Sequence, residues 1–141
     1  MNSTNSSPSD DRSRLANVAL MAARGARWTI VGLAALVLLE LLWESVLAPQ
    51  PAHGAWLALK AVPLALLFPG VARGNRRPRQ WLSLLVPLYF AEALTRAWSE
   101  SGRHAMVAAM AAAIAAATFI ALMVWFRAER AAQEPPARPR S

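Results

Sequence analysis

Residues 55–98 read AWLALKAVPLALLFPGVARGNRRPRQWLSLLVPLYFAEALTRAW, two apolar segments facing each other across Arg73, Gly74, Asn75, Arg76, Arg77, Pro78 and Arg79. Arg and Lys concentrate in cytoplasmic loops, so this pattern predicts a membrane helical hairpin with a basic cytoplasmic turn. Outside the hairpin the apolar residues gather in two further blocks, giving expected spans at about 28–47, 55–72, 81–98 and 105–126. A helix crossing ~30 Å of hydrocarbon needs about 20 residues, which the first, third and fourth blocks supply. The second reaches Ala72 only by carrying Pro69 and Gly70, so a short or bent helix is expected there.

The net charge of +7 on 141 residues could point to nucleic acid. Its placement argues otherwise. Arg12, Arg14, Arg24 and Arg27 precede the first block, the hairpin turn holds four arginines, and Arg127, Arg130, Arg138 and Arg140 follow the fourth. The joints Ala48 to Gly54 and Ser99 to His104 hold one cation between them, Arg103. This alternation predicts an all-α integral membrane protein: four transmembrane helices in an up-down bundle, both termini cytoplasmic, its main partner the lipid bilayer and not nucleic acid. Residues 1–13, rich in Ser and Asn, are expected to be disordered. Residues 14–27 carry Leu15, Val18, Ala19 and Ala22 at helical spacing between basic flanks. They read equally as a basic pre-membrane helix on the inner leaflet or as an extension of the first span. Residues 28–127 form the four-span domain, and 128–141, with Pro135, Pro136 and Pro139, a disordered basic tail.

Five ionisable residues fall inside the expected spans: Glu40, Glu44, Lys60, Glu92 and Arg96. Each would cost ~2.5 to 3.5 kcal/mol unpaired at the bilayer centre, so they must pair or reach water. Counting about 1.5 Å per residue, Glu40, Lys60 and Glu92 fall roughly 8 to 12 Å below the outer boundary, with Glu44 and Arg96 one turn nearer to it. Helical side chains lean towards the N-terminus, which aims Arg96 at Glu92, with Tyr89 on the same face. Lys60 remains to answer Glu40 and Glu44. Three acids against two bases leave one negative charge, to be protonated or opened to water or a cation. These six residues are the candidate intramembrane polar cluster. Arg73, Arg76, Arg77 and Arg79 are candidate contacts for anionic lipid headgroups, although topology alone explains them equally well.

Other chemistry is poorly supported. The chain has no cysteine, which excludes disulfides and thiolate catalysis. His53 and His104 lie in separate loops, too sparse for a zinc site. No nucleophile-base-acid spacing or Gly-rich phosphate loop is present, so no catalytic, cofactor or metal site is assigned and an enzyme is not expected. In the fourth span, Ala108, Ala112 and Ala116 form one small-residue stripe and Ala109, Ala113 and Ala117 the next, able to seat the helix in its own bundle or to form a homodimer seam.

The run from Leu57 to Gly74, with Lys60, Pro69-Gly70 and Arg73-Gly74, then Gln80-Trp81, Leu88-Tyr89-Phe90-Ala91-Glu92 and Ala97-Trp98-Ser99, resembles domain of unknown function 2069, a family of small predicted inner-membrane proteins of proteobacteria. The likeness covers roughly residues 28–127. It implies a four-helix, multi-pass protein of the bacterial inner membrane and supplies no activity. The expected function is a non-enzymatic accessory or structural component that packs against itself or a larger membrane complex. The competing expectation is a small oligomeric carrier or channel for protons or cations, using Glu40, Lys60, Glu92 and Arg96.

Overall fold

The computed structural model describes residues 8–42 and 54–133, with the side chains of Pro8 and of 54–60 outside the described part. Four helices follow one another: α1 (Pro8–Leu42), α2 (Gly54–Ala72), α3 (Arg76–Ser99) and α4 (Arg103–Gln133). The protein is all-helical. Two of the helices, α1 over Ser9–Leu42 and α4 over Arg103–Gln133, are long and apolar enough to cross a membrane. Of their most apolar windows only 22% and 28% of the residues are buried, unlike the core helix of a soluble protein. Pro87 and Glu92 within α3 and Arg96 in its last turn lower its hydropathy, and α2 is fully described only over Ala61–Ala72.

α1 starts at Pro8, inside the stretch expected to be disordered, and runs without a break through Arg27 into the first apolar block. Residues 14–27 thus belong to the same helix as the first apolar block. Proline is well placed in a first turn because its missing N–H has no intrahelical partner there, and Asp10 and Asp11 suit the positive end of the helix dipole. Ser13 Oγ donates to the Ser9 carbonyl at 3.0 Å. At the other end of the chain α4 continues to Gln133, into the expected tail. Residues 127–133, Arg-Ala-Glu-Arg-Ala-Ala-Gln, are strong helix formers, and Pro135 comes too late to stop them.

α4 packs most extensively on α1 and α3, and α2 more thinly on α1 and α3. Gly25 meets Trp125 while Gly32 meets Thr118, so α1 and α4 run antiparallel. A Cβ on Gly25 would come within 2.9 Å of the Trp125 backbone nitrogen, and one on Gly32 would collide with Thr118 Oγ1. The missing side chains let the two backbones close together. Thr29 and Thr118 are buried in the same seam, each hydroxyl donating to its own helix, at 2.8 Å to the Gly25 carbonyl and 2.7 Å to that of Ile114. Leu33, Leu36, Leu64, Leu82, Val86, Ala115 and Leu122 fill the centre.

On α4 the buried positions are Ala108, Ala112, Ala115, Thr118, Leu122, Trp125 and Ala128. They step by three and four, as 3.6 residues per turn requires, so a strict every-fourth row cannot stay inside. Ala108 and Ala112 seat the helix. Ala109, Ala113 and Ala117 remain exposed.

The turn from α2 to α3 is a Schellman motif: Asn75 N–H donates to the Gly70 carbonyl at 3.0 Å and Gly74 N–H to that of Val71 at 2.9 Å. Gly74 takes φ +74°, the left-handed conformation this cap demands. Pro78, in the first turn of α3, packs so tightly on Gly70 that a Cβ there would lie 2.5 Å from its ring. Arg73 to Arg79 are thereby held at one end of the bundle, the arginine end.

Candidate functional site

The far end of the bundle collects most of the expected polar cluster. Glu40 comes from α1, and Tyr89, Glu92 and Arg96 come from α3. Arg96 Nη2 lies 2.9 Å from Glu92 Oε1, one turn back, both side chains partly exposed. Tyr89 is buried in the core and lies within electrostatic range of Glu40 and Glu92. Glu40, Glu92 and Arg96 line a cavity of about 20 Å³, closed by Leu39, Ala93, Ala108 and Ala111. That volume admits a water molecule but not an organic substrate or a hydrated ion. Chemically the arrangement can hold an ion pair, a phenol and a carboxylate around one water site. Glu44 and His53 lie outside the described residues, as does the side chain of Lys60, whose backbone belongs to α2. His104 is exposed in the first turn of α4. Among the described residues no three His, Cys, Asp or Glu side chains come close enough to hold a metal ion.

The arginine end divides the four candidate lipid contacts. Arg73, Arg76 and Arg77 are exposed. Arg79 is turned inward and only 4% exposed, with Nη1 2.5 Å from Glu129 Oε1 of α4. Its Nε donates to the Asn75 carbonyl at 3.2 Å. The guanidinium carbon stands 4.1 Å from the ring centre of Trp125 and 5.7 Å from that of Phe126. A planar guanidinium suits this position because it bonds at its edge while stacking on its face. Arg79 therefore fastens α3 to α4 and does not present itself to a headgroup.

Sequence reasoning missed Glu129, because Arg127 and Arg130 on either side make it look like part of a basic tail. A signal was present. Glu129 lies four residues after Trp125, on the same face, and a helix carried one turn beyond Phe126 brings that acid beneath the arginine turn.

Comparison with curated proteins and with solved structures finds no match. The family model described as predicted membrane protein (DUF2069) matches residues 28–130, which takes in the central hairpin, both charged clusters and Glu129, and the chain belongs to that family.

Proposed function

We propose that this protein is a non-enzymatic accessory or structural component of the bacterial inner membrane, with all four helices crossing it and both termini cytoplasmic. The observation that carries the reading is the polarity of α3. Its buried residues include Arg79 and Tyr89, while Trp81, Leu84, Leu88, Leu94 and Trp98 are exposed. Leu82, Val86 and Ala93 are buried with them, but a helix in water would not leave five large apolar side chains uncovered. Trp81 and Trp98 stand about 25 Å apart along the helix, near the thickness of the hydrocarbon core, where aromatic belts form. What supports packing against a partner is uncovered surface on α1 and α4. An apolar groove of about 580 Å³ follows their seam past Gly25 and Gly32, and the Ala109, Ala113 and Ala117 row is open.

The water-sized cavity beside Glu40 and Glu92 favours, as the second reading, a proton-conducting oligomer over a cation or solute carrier. Four helices of this size do not make a complete alternating-access carrier alone. Affinity purification of the tagged chain from native membranes in mild detergent separates the readings. A stoichiometric foreign protein supports the accessory role. A homo-oligomer with no foreign protein overturns the accessory role, favours the second reading and directs proton-flux assays to Glu40 and Glu92. Because the chain lacks cysteine, Ser101→Cys and Ser141→Cys test the topology with a membrane-impermeant maleimide. Labelling in intact spheroplasts is expected at residue 101 alone, and labelling at 141 would overturn the orientation.

A further inference from the structure

Arg76, Gln80 and Ser83 recur on one face of α3 at spacings of four and three, opposite Met123, Phe126, Arg127, Arg130 and Gln133 of α4. Between these faces, at the arginine end, lies a cleft of about 440 Å³. We propose that it binds a phosphate group, supplied by the headgroup of an anionic phospholipid.

Three guanidinium groups, from both walls, converge on this space. Among the described residues Arg76, Arg127 and Arg130 have no acidic partner. Among the described residues Glu129 is the one acid lining the cleft, and it is held by the buried guanidinium of Arg79, so the described walls carry a surplus of positive charge. Arginine forks bind phosphate oxygens in pairs, and basic pockets between membrane helices at the cytoplasmic level capture anionic headgroups. Topology requires positive charge at this end of the bundle but not three arginines in one concave site. Arg73 and Arg77, equally exposed, lie outside the cleft and satisfy topology as well. The choice of a lipid follows from the walls: Met123 and Phe126 continue the arginine face along α4 towards the middle of the bundle, where an acyl chain attached to the phosphate would lie. The cleft itself does not depend on the membrane reading. Naming a lipid as the source of the phosphate does.

The test uses the purified full chain in neutral detergent, titrated with phosphatidylglycerol, phosphatidylcholine or inorganic phosphate, with bound molecules counted by native mass spectrometry. Both faces of the protein are open in detergent, so the result is independent of orientation in the cell. Phosphatidylglycerol is expected to bind with preference over phosphatidylcholine. Each arginine removed should weaken that binding about fivefold, so Arg127→Gln with Arg130→Gln should lose roughly 25-fold. Arg76→Gln, on the other wall, should lose about fivefold, which keeps a folding fault in α4 from imitating the result. Arg73→Gln with Arg77→Gln should retain the wild-type affinity. Equal binding of the two lipids, or an equal loss in the Arg73 and Arg77 pair, would overturn the site. Inorganic phosphate competing as strongly as the lipid would overturn the lipid assignment and leave a soluble phosphate site.

Discussion

At the arginine end Arg79 reaches 50 residues along the chain to Glu129, beneath the ring of Trp125, whereas at the far end Arg96 reaches one turn back to Glu92. The first pair joins two helices and is buried on its arginine side. The second lies within one helix and is a quarter to a third exposed. Helices α1 and α4 repeat the contrast. They close tightly through Gly25 and Gly32 on the way to the arginine end, and at the other end leave, together with α3, the cavity lined by Glu40, Glu92 and Ala108. One end is thus fixed by an ion pair between helices, and the other holds the Glu92 and Arg96 pair within α3, with Glu40 of α1 beside it, around space for water. Ion pairs of the same chemistry carry different structural weight according to what they join and how far water reaches them.

The sharpest way to break this contrast is at Glu129. Removing one partner of a buried pair typically costs about 3 to 5 kcal/mol, and with Glu129 a third exposed the lower end applies. Glu129→Ala is therefore expected to lower stability by about 3 kcal/mol in reversible unfolding from mixed micelles. Arg79→Lys should also fall below the wild-type value, since lysine loses both the fork and the stacking on Trp125. A Glu129→Ala protein as stable as wild type would mean the pair fastens nothing.

A middle-sized effect is expected where α1 crosses α4. Gly32→Ala places a methyl on the Thr118 hydroxyl and should cost about 2 kcal/mol by overpacking. Thr118→Ala in the same chain should recover part of the loss, because the two positions share one space. Full additivity of the two changes would show that the helices do not meet there.

The smallest effect belongs to the far end. Glu92→Gln should change stability by less than about 0.5 kcal/mol, the usual worth of a partly exposed pair one turn apart. The same variant separates the two functional readings. Loss of a growth or flux phenotype at unchanged stability would sink the purely structural account of the cluster.

The pairs also differ in how far they were legible from sequence. The Glu92 and Arg96 pair follows from spacing and side-chain direction alone, since both residues sit on one helix. The hairpin turn was equally readable, because four arginines break the chain between two apolar segments. Arg79 could not be told apart from Arg73, Arg76 and Arg77, because topology accounts for all four and only packing shows which one turns inward. The continuous α1 was undecided for a similar reason. A basic amphipathic stretch before a span suits a surface helix and a helical extension alike. In α4 the alanine rows predicted close packing, but which row is covered depends on where α1 and α3 lie.

The α2–α3 turn bears on how the chain is made. On the four-span reading proposed above, α1 and α4 are apolar enough to partition into lipid one at a time as they leave the ribosome. α3 is not, with Glu92, Arg96 and a mid-helix proline inside it. A turn closed within a few residues by Gly74 and Pro78 lets α2 and α3 insert together, so that α3 need not partition alone. The two glycines and the proline of that turn then act before the bundle exists, as the fold in a strip that must enter doubled.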